Sequence, residues 1–221
     1  MFNSIIINIH QFVEHLRNSG LKQAFQKTWY VKREVIPVVK ELANVSKSRI
    51  STENQQYQFI EVDQETYKRC EYSYRVKSRL LKVNKNIKKG YRAFAVVRDN
   101  MVIGDIWYAG RERSGHPILH GDLDLLFITS GPQDVYMFDM FIDPLERGKN
   151  IAVFLMSSSL DRLRESGYSN VFGFFEAGNI PALWVHRMLG FSELDKVLLS
   201  RYGLFRSSRK KTKPLLKLTS E

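Results

Sequence analysis

The stretch VYMFDMFIDPLERGKNIAVFLMSSSL, residues 135–160, constrains the fold more than any other part of the chain. Residues 135–143 form a long, almost wholly apolar run, the pattern of a strand covered on both faces. The run stops at Asp143-Pro144, and a turn holding Arg147, Gly148, Lys149 and Asn150 leads directly into a second apolar pattern. There, Val153, Met156, Leu160 and Leu163 fall on one side of a helix spanning 150–166. A strand that feeds a helix through a short basic turn places the chain in the α/β class.

The turn itself suggests chemistry. The first N–H groups of a helix have no partner within it and carry the positive end of its dipole. Gly148 allows a ligand close to the backbone, Asn150 tolerates unusual dihedral angles, and Arg147 and Lys149 add charge. These residues suit a phosphate or pyrophosphate cradle, and equally a solvated helix cap. A nucleotide P-loop would need Gly-Lys-Ser/Thr at the end of the turn, and a dinucleotide fingerprint would need three glycines early in a βαβ unit. Neither is present.

Around this unit, strands and helices alternate. QFIEV (58–62), YRAFAVVRD (91–99), MVIGDIWYAG (101–110), NVFGFFE (170–176) and VLLSRYGLF (197–205) read as strands. Asp99-Asn100 marks a tight hairpin. Helices are expected over about 65–83 and over PALWVHRML (181–189). The whole is an α/β domain with a mixed sheet. The first fifty residues read as an amphipathic helical extension, with a boundary at Pro37 and a polar linker over 45–56. The expected organisation is a helical extension over 1–50, a main domain over 57–206 and a basic tail over 207–221.

GFFEAGNIPALWVHRMLGF (173–191) follows the cradle at a telling distance. Together the two stretches resemble the GNAT superfamily of acyl-CoA-dependent N-acetyltransferases. That family's pattern is Val-x-Pro, Arg-Gly-x-Gly-x-Gly/Ala, a helix, a strand, then Asn-x-x-Ala and Gly-Phe. Ile142-Asp143-Pro144, then Arg147, Gly148, Lys149, Asn150, Ile151 and Ala152, then Asn179, Ala182, Gly190 and Phe191 follow it, with Asn150 standing where the family prefers Gly.

The resemblance implies a mostly antiparallel mixed sheet with flanking helices, and acetyl-CoA as co-substrate without a metal. It implies that N–H groups from Gly148 to Val153, with Arg147 beside them, hold the CoA pyrophosphate. The strand through Met140, Phe141 and Ile142 would splay from its neighbour to admit the pantetheine arm, with Asn179 nearby. His186 stands where many members carry a tyrosine that protonates the leaving thiolate. Imidazole can serve that role, or be an ordinary helix residue hydrogen-bonded to a neighbour.

Direct attack of an amine on the thioester needs a base. Asp139, which interrupts an apolar run, is the candidate, with a pKa expected to be raised by burial. The alternative for Asp139 is a strand-end hydrogen bond or ion pair. His116 and His120 flank Pro117 in a glycine-bearing loop, which suits a metal poorly.

The chain has 34 Lys+Arg against 23 Asp+Glu, a net charge of +11. Residues 68–92 hold ten Lys or Arg against Glu71 alone. A basic lid over the acceptor side would repel a polyamine and suit an anionic acceptor or an acidic carrier. A solvated charged helix pair would look the same in sequence. A larger acyl or aminoacyl donor and a non-catalytic CoA, RNA or membrane binder are the competing readings. Nucleic acid is the least supported, since no RNA-recognition signature is present. Peripheral membrane contact stays open through the N-terminal amphipathic pattern. The lone Cys70 and the want of a signal peptide point to the cytoplasm.

Overall fold

The computed structural model describes residues 30–43, 57–69, 72–110, 118–202 and 205–211, together with helical positions Ile9, Phe12, Val13, Leu16 and Leu21. In chain order the strands are β1 (Tyr30–Glu41), β2 (Gln58–Val62), β3 (Arg92–Arg98), β4 (Met101–Ala109), β5 (Asp134–Ile142), β6 (Asn170–Glu176), β7 (Ser192–Glu193), β8 (Val197–Tyr202) and β9 (Phe205–Lys210). The helices are α1 (Gln64–Lys68), α2 (Lys77–Lys88), α3 (Asp122–Leu125), α4 (Ile151–Glu165) and α5 (Ile180–Met188). One sheet runs β2-β3-β4-β5-β6-β1-β8-β9, with β7 also paired to β1. Only the β5–β6 ladder is parallel; the other named ladders are antiparallel.

The central strands β3 to β6 are rich in β-branched and aromatic residues, side chains that pack well on a pleated surface. Asp99 and Asn100 both take positive φ in the two-residue turn joining β3 to β4, as a hairpin with the strands' own twist requires. β4 is buried on both faces from Val102 onward, so it lies in the middle layer of the molecule. On one face α4 sets Ile151, Leu155, Leu160 and Leu163 against Phe94, Val96, Ile106 and Val135. Each such leucine contributes about 1.5–3 kcal/mol when fully buried. On the other face α2 packs Val83 and Ile87 against Ala93, Ala95 and Trp107, while α3 sets Leu123 beside Val35, Tyr136 and Val197.

Five expectations from sequence need correction. The helical extension over 1–50 does not reach its expected end, because residues 30–41 are β1, between β6 and β8 within the sheet. Pro37 is not a boundary. It lies where β1 passes from β8, paired as far as Val35, to β7, paired from Val38, so its missing N–H falls in a gap. The main domain therefore includes β1, which precedes residue 57. The tail expected from 207 is β9 as far as Lys210. The single helix expected over 65–83 is two, since Ser73 forms a bridge with Met101 between them. Asp63 starts the first with a reciprocal capping box through Thr66. Cys70, His116, the linker 45–56 and the end of the tail lie outside the described residues.

Candidate functional site

β5 and β6 run side by side for only three register pairs, Asp134–Asn170, Val135–Val171 and Tyr136–Phe172. Beyond them the strands part. β5 stays paired to β4 as far as Ile142–Gly104, and β6 stays paired to β1 as far as Glu176–Val35. From Met137 onward, β5 therefore has a backbone edge that no β6 residue pairs with. Phe138, Asp139, Met140, Phe141 and Ile142 are all partly exposed along it. Gly173 marks the point of divergence: a Cβ there would lie 3.2 Å from the Met137 carbonyl oxygen.

Because the two strands are parallel, the gap opens at their C-terminal ends, where α4 and α5 begin. Asp143 closes β5 by donating its N–H to the Ile103 carbonyl (2.8 Å) and accepting from the Leu145 N–H (3.0 Å). The turn then holds Arg147, Gly148, Lys149 and Asn150 in solvent. Gly148 has φ +81° with open space around it, and Asn150 takes the left-handed conformation as the helix N-cap. Asn150 makes no side-chain cap bond, so the N–H groups of Ile151, Ala152 and Val153 receive neither a helical carbonyl nor a capping oxygen. Glu146 anchors the turn from below. It is buried, accepts from Arg98 at 2.6 Å and from Lys149 at 3.0 Å. Burial opposes its charge, but the Lys149 and Arg98 hydrogen bonds prevail and hold its carboxyl below the ordinary range.

Asn179 lies at the same end of the sheet, as the N-cap of α5, where its side-chain oxygen accepts from the Ala182 N–H at 3.2 Å. Along α5, His186 is buried. Its Nδ1 lies 2.7 Å from the Ala182 carbonyl oxygen, and its ring stacks on Phe175 and meets the edge of Phe191. A carbonyl only accepts, so Nδ1 carries the proton and the neutral ring has none on Nε2 to give. Burial lowers the His186 pKa further. This is the hydrogen-bonded helix residue that the sequence left as the alternative to a general acid.

Asp139 departs from expectation more sharply. It has φ +51° and sits in a bulge of β5, where the β4–β5 register shifts between Asp105 and Trp107. Arg79, from α2, holds the bulge. Its Nη2 donates to the Asp139 carbonyl at 2.6 Å and its Nη1 lies 2.9 Å from the Asp139 carboxylate. The same guanidinium grips Asp105 of β4 at both oxygens, through Nε at 3.1 Å and through Nη2. Lys82 reaches Asp139 at 3.2 Å. Burial would raise the Asp139 carboxyl, but Arg79 and Lys82 outweigh it and leave the pKa lowered. The raised pKa of a base is thus replaced by an ion-paired carboxylate. Asp105 shows the opposite balance: it is fully buried, and burial raises it despite Arg79.

Sequence reasoning counted Arg79 only within the basic run and passed over Asp105, though a signal for their pairing existed. Asp105 is the only charge within MVIGDIWYA, and a charge in a doubly buried strand requires a buried partner. Arg79 shares the inward face of α2 with Val83, Asn86 and Ile87. Of the expected basic lid, Arg75, Arg79, Lys82 and Arg92 are turned to acids of the fold, Asp143, Asp105, Asp139 and Glu61. His120 packs on Phe138 and Tyr136, and its Nδ1 accepts from the Asp122 N–H. Among the described residues there is no cluster of three or more His, Cys, Asp or Glu able to hold a metal, and no helix long and apolar enough to cross a membrane.

The fold is shared with known proteins. The acetyltransferase (GNAT) family model matches residues 54–191. Among solved structures, a GCN5-related glucosamine N-acetyltransferase region of a fungal multi-domain GH3 β-N-acetylglucosaminidase superposes with a TM-score of 0.54 at 12% identity, over 82% of this chain and 22% of that one. A tandem GNAT protein from the clavulanic acid biosynthesis pathway gives 0.52 at 12% identity over 89% and 60%. A Drosophila protein gives 0.52 at 9% identity over 85% and 57%. The chain thus spans less than two thirds of each of these structures, and at such identities the likeness is one of fold. No curated protein sequence matches the chain. The match over 54–191, with the parted strands and the open α4 terminus, places the chain in the acetyltransferase (GNAT) family.

Proposed function

We propose that the chain transfers an acetyl group from acetyl-CoA to the amine of an anionic acceptor. The observation that carries this reading is the open N-terminus of α4 beside the gap between β5 and β6. The N–H groups from Gly148 to Val153 suit the CoA pyrophosphate, with Arg147 and Lys149 adding charge. The unpaired edge of β5 at Met140, Phe141 and Ile142 offers the pantetheine amides the hydrogen bonds of a missing strand. Asn179 stands across the gap, its side chain already engaged in capping α5.

In the reaction, the acceptor nitrogen forms a C–N bond to the thioester carbonyl carbon while the C–S bond breaks. The proton lost by the amine restores the CoA thiol through solvent. The chain's contribution is placement, which offsets the entropic cost of bringing donor and acceptor together. The Arg79-held bulge fixes the backbone of Asp139 and Met140 at the point where the two substrates meet. Asp139 serves there as the counter-charge of Arg79 and Lys82.

Calorimetric titration with acetyl-CoA tests the donor site. We expect micromolar binding by the intact protein, a strength within reach of one pyrophosphate cradle and a strand-like amide ladder. Arg147→Ala combined with Gly148→Glu should abolish it, because the new carboxylate occupies the cradle. Unchanged affinity in that variant would refute the assignment.

A further inference from the structure

β8 and β9 form the last hairpin of the sheet, and β9 is its edge strand: among the described residues it pairs with β8 alone. The register runs unbroken from Val197–Lys210 to Tyr202–Phe205. Just beyond it, the Lys211 N–H donates to the Lys196 carbonyl at 2.9 Å. In an antiparallel pair, alternate residues turn both backbone groups to the partner, and those between them turn both away. Lys211 therefore fixes the phase. Arg209, Ser207 and Phe205 bond to β8, while Arg206, Ser208 and Lys210 direct N–H and C=O outward. β9 is exposed at every position except half-buried Ser208. An open edge of this kind accepts a further strand.

The side chains decide which strand. Residues 205–211 read FRSSRKK, four cations without an acid. Side chains alternate across a strand, so Arg206 and Lys210 share one face and Arg209 stands on the other. Arg206 pairs with Asp122 of α3 at 2.8 Å, and the Lys210 ammonium lies over the Phe127 ring, 5.2 Å from its centroid. Lys211 is taken by Glu34. Among the described residues, neither Arg209 nor Lys210 has a carboxylate partner. A second copy of the chain, added edge to edge about a two-fold axis, sets this cationic strand against itself, and like charges directly opposite destabilise a sheet. An acidic strand meets the reverse: its carboxylates fall opposite Arg206 and Lys210 on one face or Arg209 on the other, at cross-strand Cβ separations of about 4.5–5.5 Å. The cations that keep copies of the chain apart thus select the partner.

The geometry points to β9 as a docking edge for an extended, acidic segment of another protein, which adds to the sheet as a further strand. The outward backbone groups of Arg206, Ser208 and Lys210 hold the segment, and Arg209 and Lys210 read its charge. This partner site is independent of acetyl transfer and of the α4 cradle, so neither stands or falls with the other.

The test uses the full chain and two end-blocked peptides, one alternating Glu with Val and the other Lys with Val, followed by calorimetry and by amide hydrogen exchange. At low salt the Glu peptide should bind about tenfold more tightly than the Lys peptide, a preference that shrinks as salt is raised. On binding, exchange at Arg206, Ser208 and Lys210 should slow about tenfold, whereas Phe205, Ser207 and Arg209 are already held by β8. Ser208→Pro removes an outward donor without breaking a bond to β8. It should melt as the parent does and weaken the Glu peptide about tenfold. Arg209→Glu/Lys210→Glu should turn the preference to the Lys peptide, and carries the same decision if the proline variant fails to fold. No binding, equal affinity for the two peptides, or binding that leaves the outward amides unprotected overturns the inference, the last because it is charge attraction without strand addition. Self-association of the parent chain at micromolar concentration, abolished by Ser208→Pro, overturns it in favour of a second copy at the edge.

Discussion

His186 shows how one hydrogen bond decides a side chain's role. Its Nδ1 proton is committed to the Ala182 carbonyl, and its ring is enclosed by Phe175 and Phe191. Burial lowers its pKa below the ordinary 6.5. The unfolded chain therefore binds a proton here that the folded chain refuses. The stability this contributes is fully present above about pH 6.5 and is lost as pH falls toward the lowered folded value. His186→Phe should fill the same aromatic slot, remove that loss and flatten the acid limb of stability below about pH 6.5. His120, also lowered chiefly by burial, keeps part of the slope. Denaturant midpoints across pH measure this, and acetyl transfer by the variant should stay within about twofold of the parent. A selective fall in kcat with acetyl-CoA affinity intact would instead give the imidazole a role in the chemistry. Sequence position alone could not separate these roles, because the deciding bond runs to a backbone carbonyl one turn away.

At the scale of elements, the β5 bulge was the least legible part of the site and the cradle the most. The cradle is local: a strand end, Gly148, Asn150 and a helix start follow one another in the chain, so their chemistry reads directly from sequence. The bulge depends on α2, β4 and β5 meeting in space, with Arg79 and Asp139 60 residues apart. Asp139 was visible as a polar interruption, but the sign of its pKa shift was not, since that depends on whether a cation or only apolar groups surround it. Arg79→Met should leave Asp105 buried without a cation and cost about 3–5 kcal/mol. Arg79→Met/Asp105→Leu should cost less than the sum of the two single changes, because the second removes the charge that the first strands. Urea unfolding of the parent, both single variants and the double variant closes the cycle. Strict additivity would mean that the guanidinium and the carboxylate do not depend on one another.

Across the whole molecule, the family match begins at residue 54 and ends at 191, yet the sheet does not. β1 precedes the match and β8 and β9 follow it, and the three are adjacent. Val35 stands at the junction, facing Glu176 of β6 on one side and Val197 of β8 on the other, with no exposed surface. The strand was hidden in sequence by Pro37, which reads as a break unless one knows that a gap between two neighbours absorbs it. Without β1, β6 would present an open edge beside the reaction gap, and the β8–β9 hairpin with its arginines would lose its attachment to the sheet. A chain cut to begin at residue 57, the expected start of the main domain, should therefore lack a cooperative thermal transition and bind acetyl-CoA far more weakly than the full chain. Retention of a cooperative melt and of donor affinity would show that the rest of the chain folds without β1.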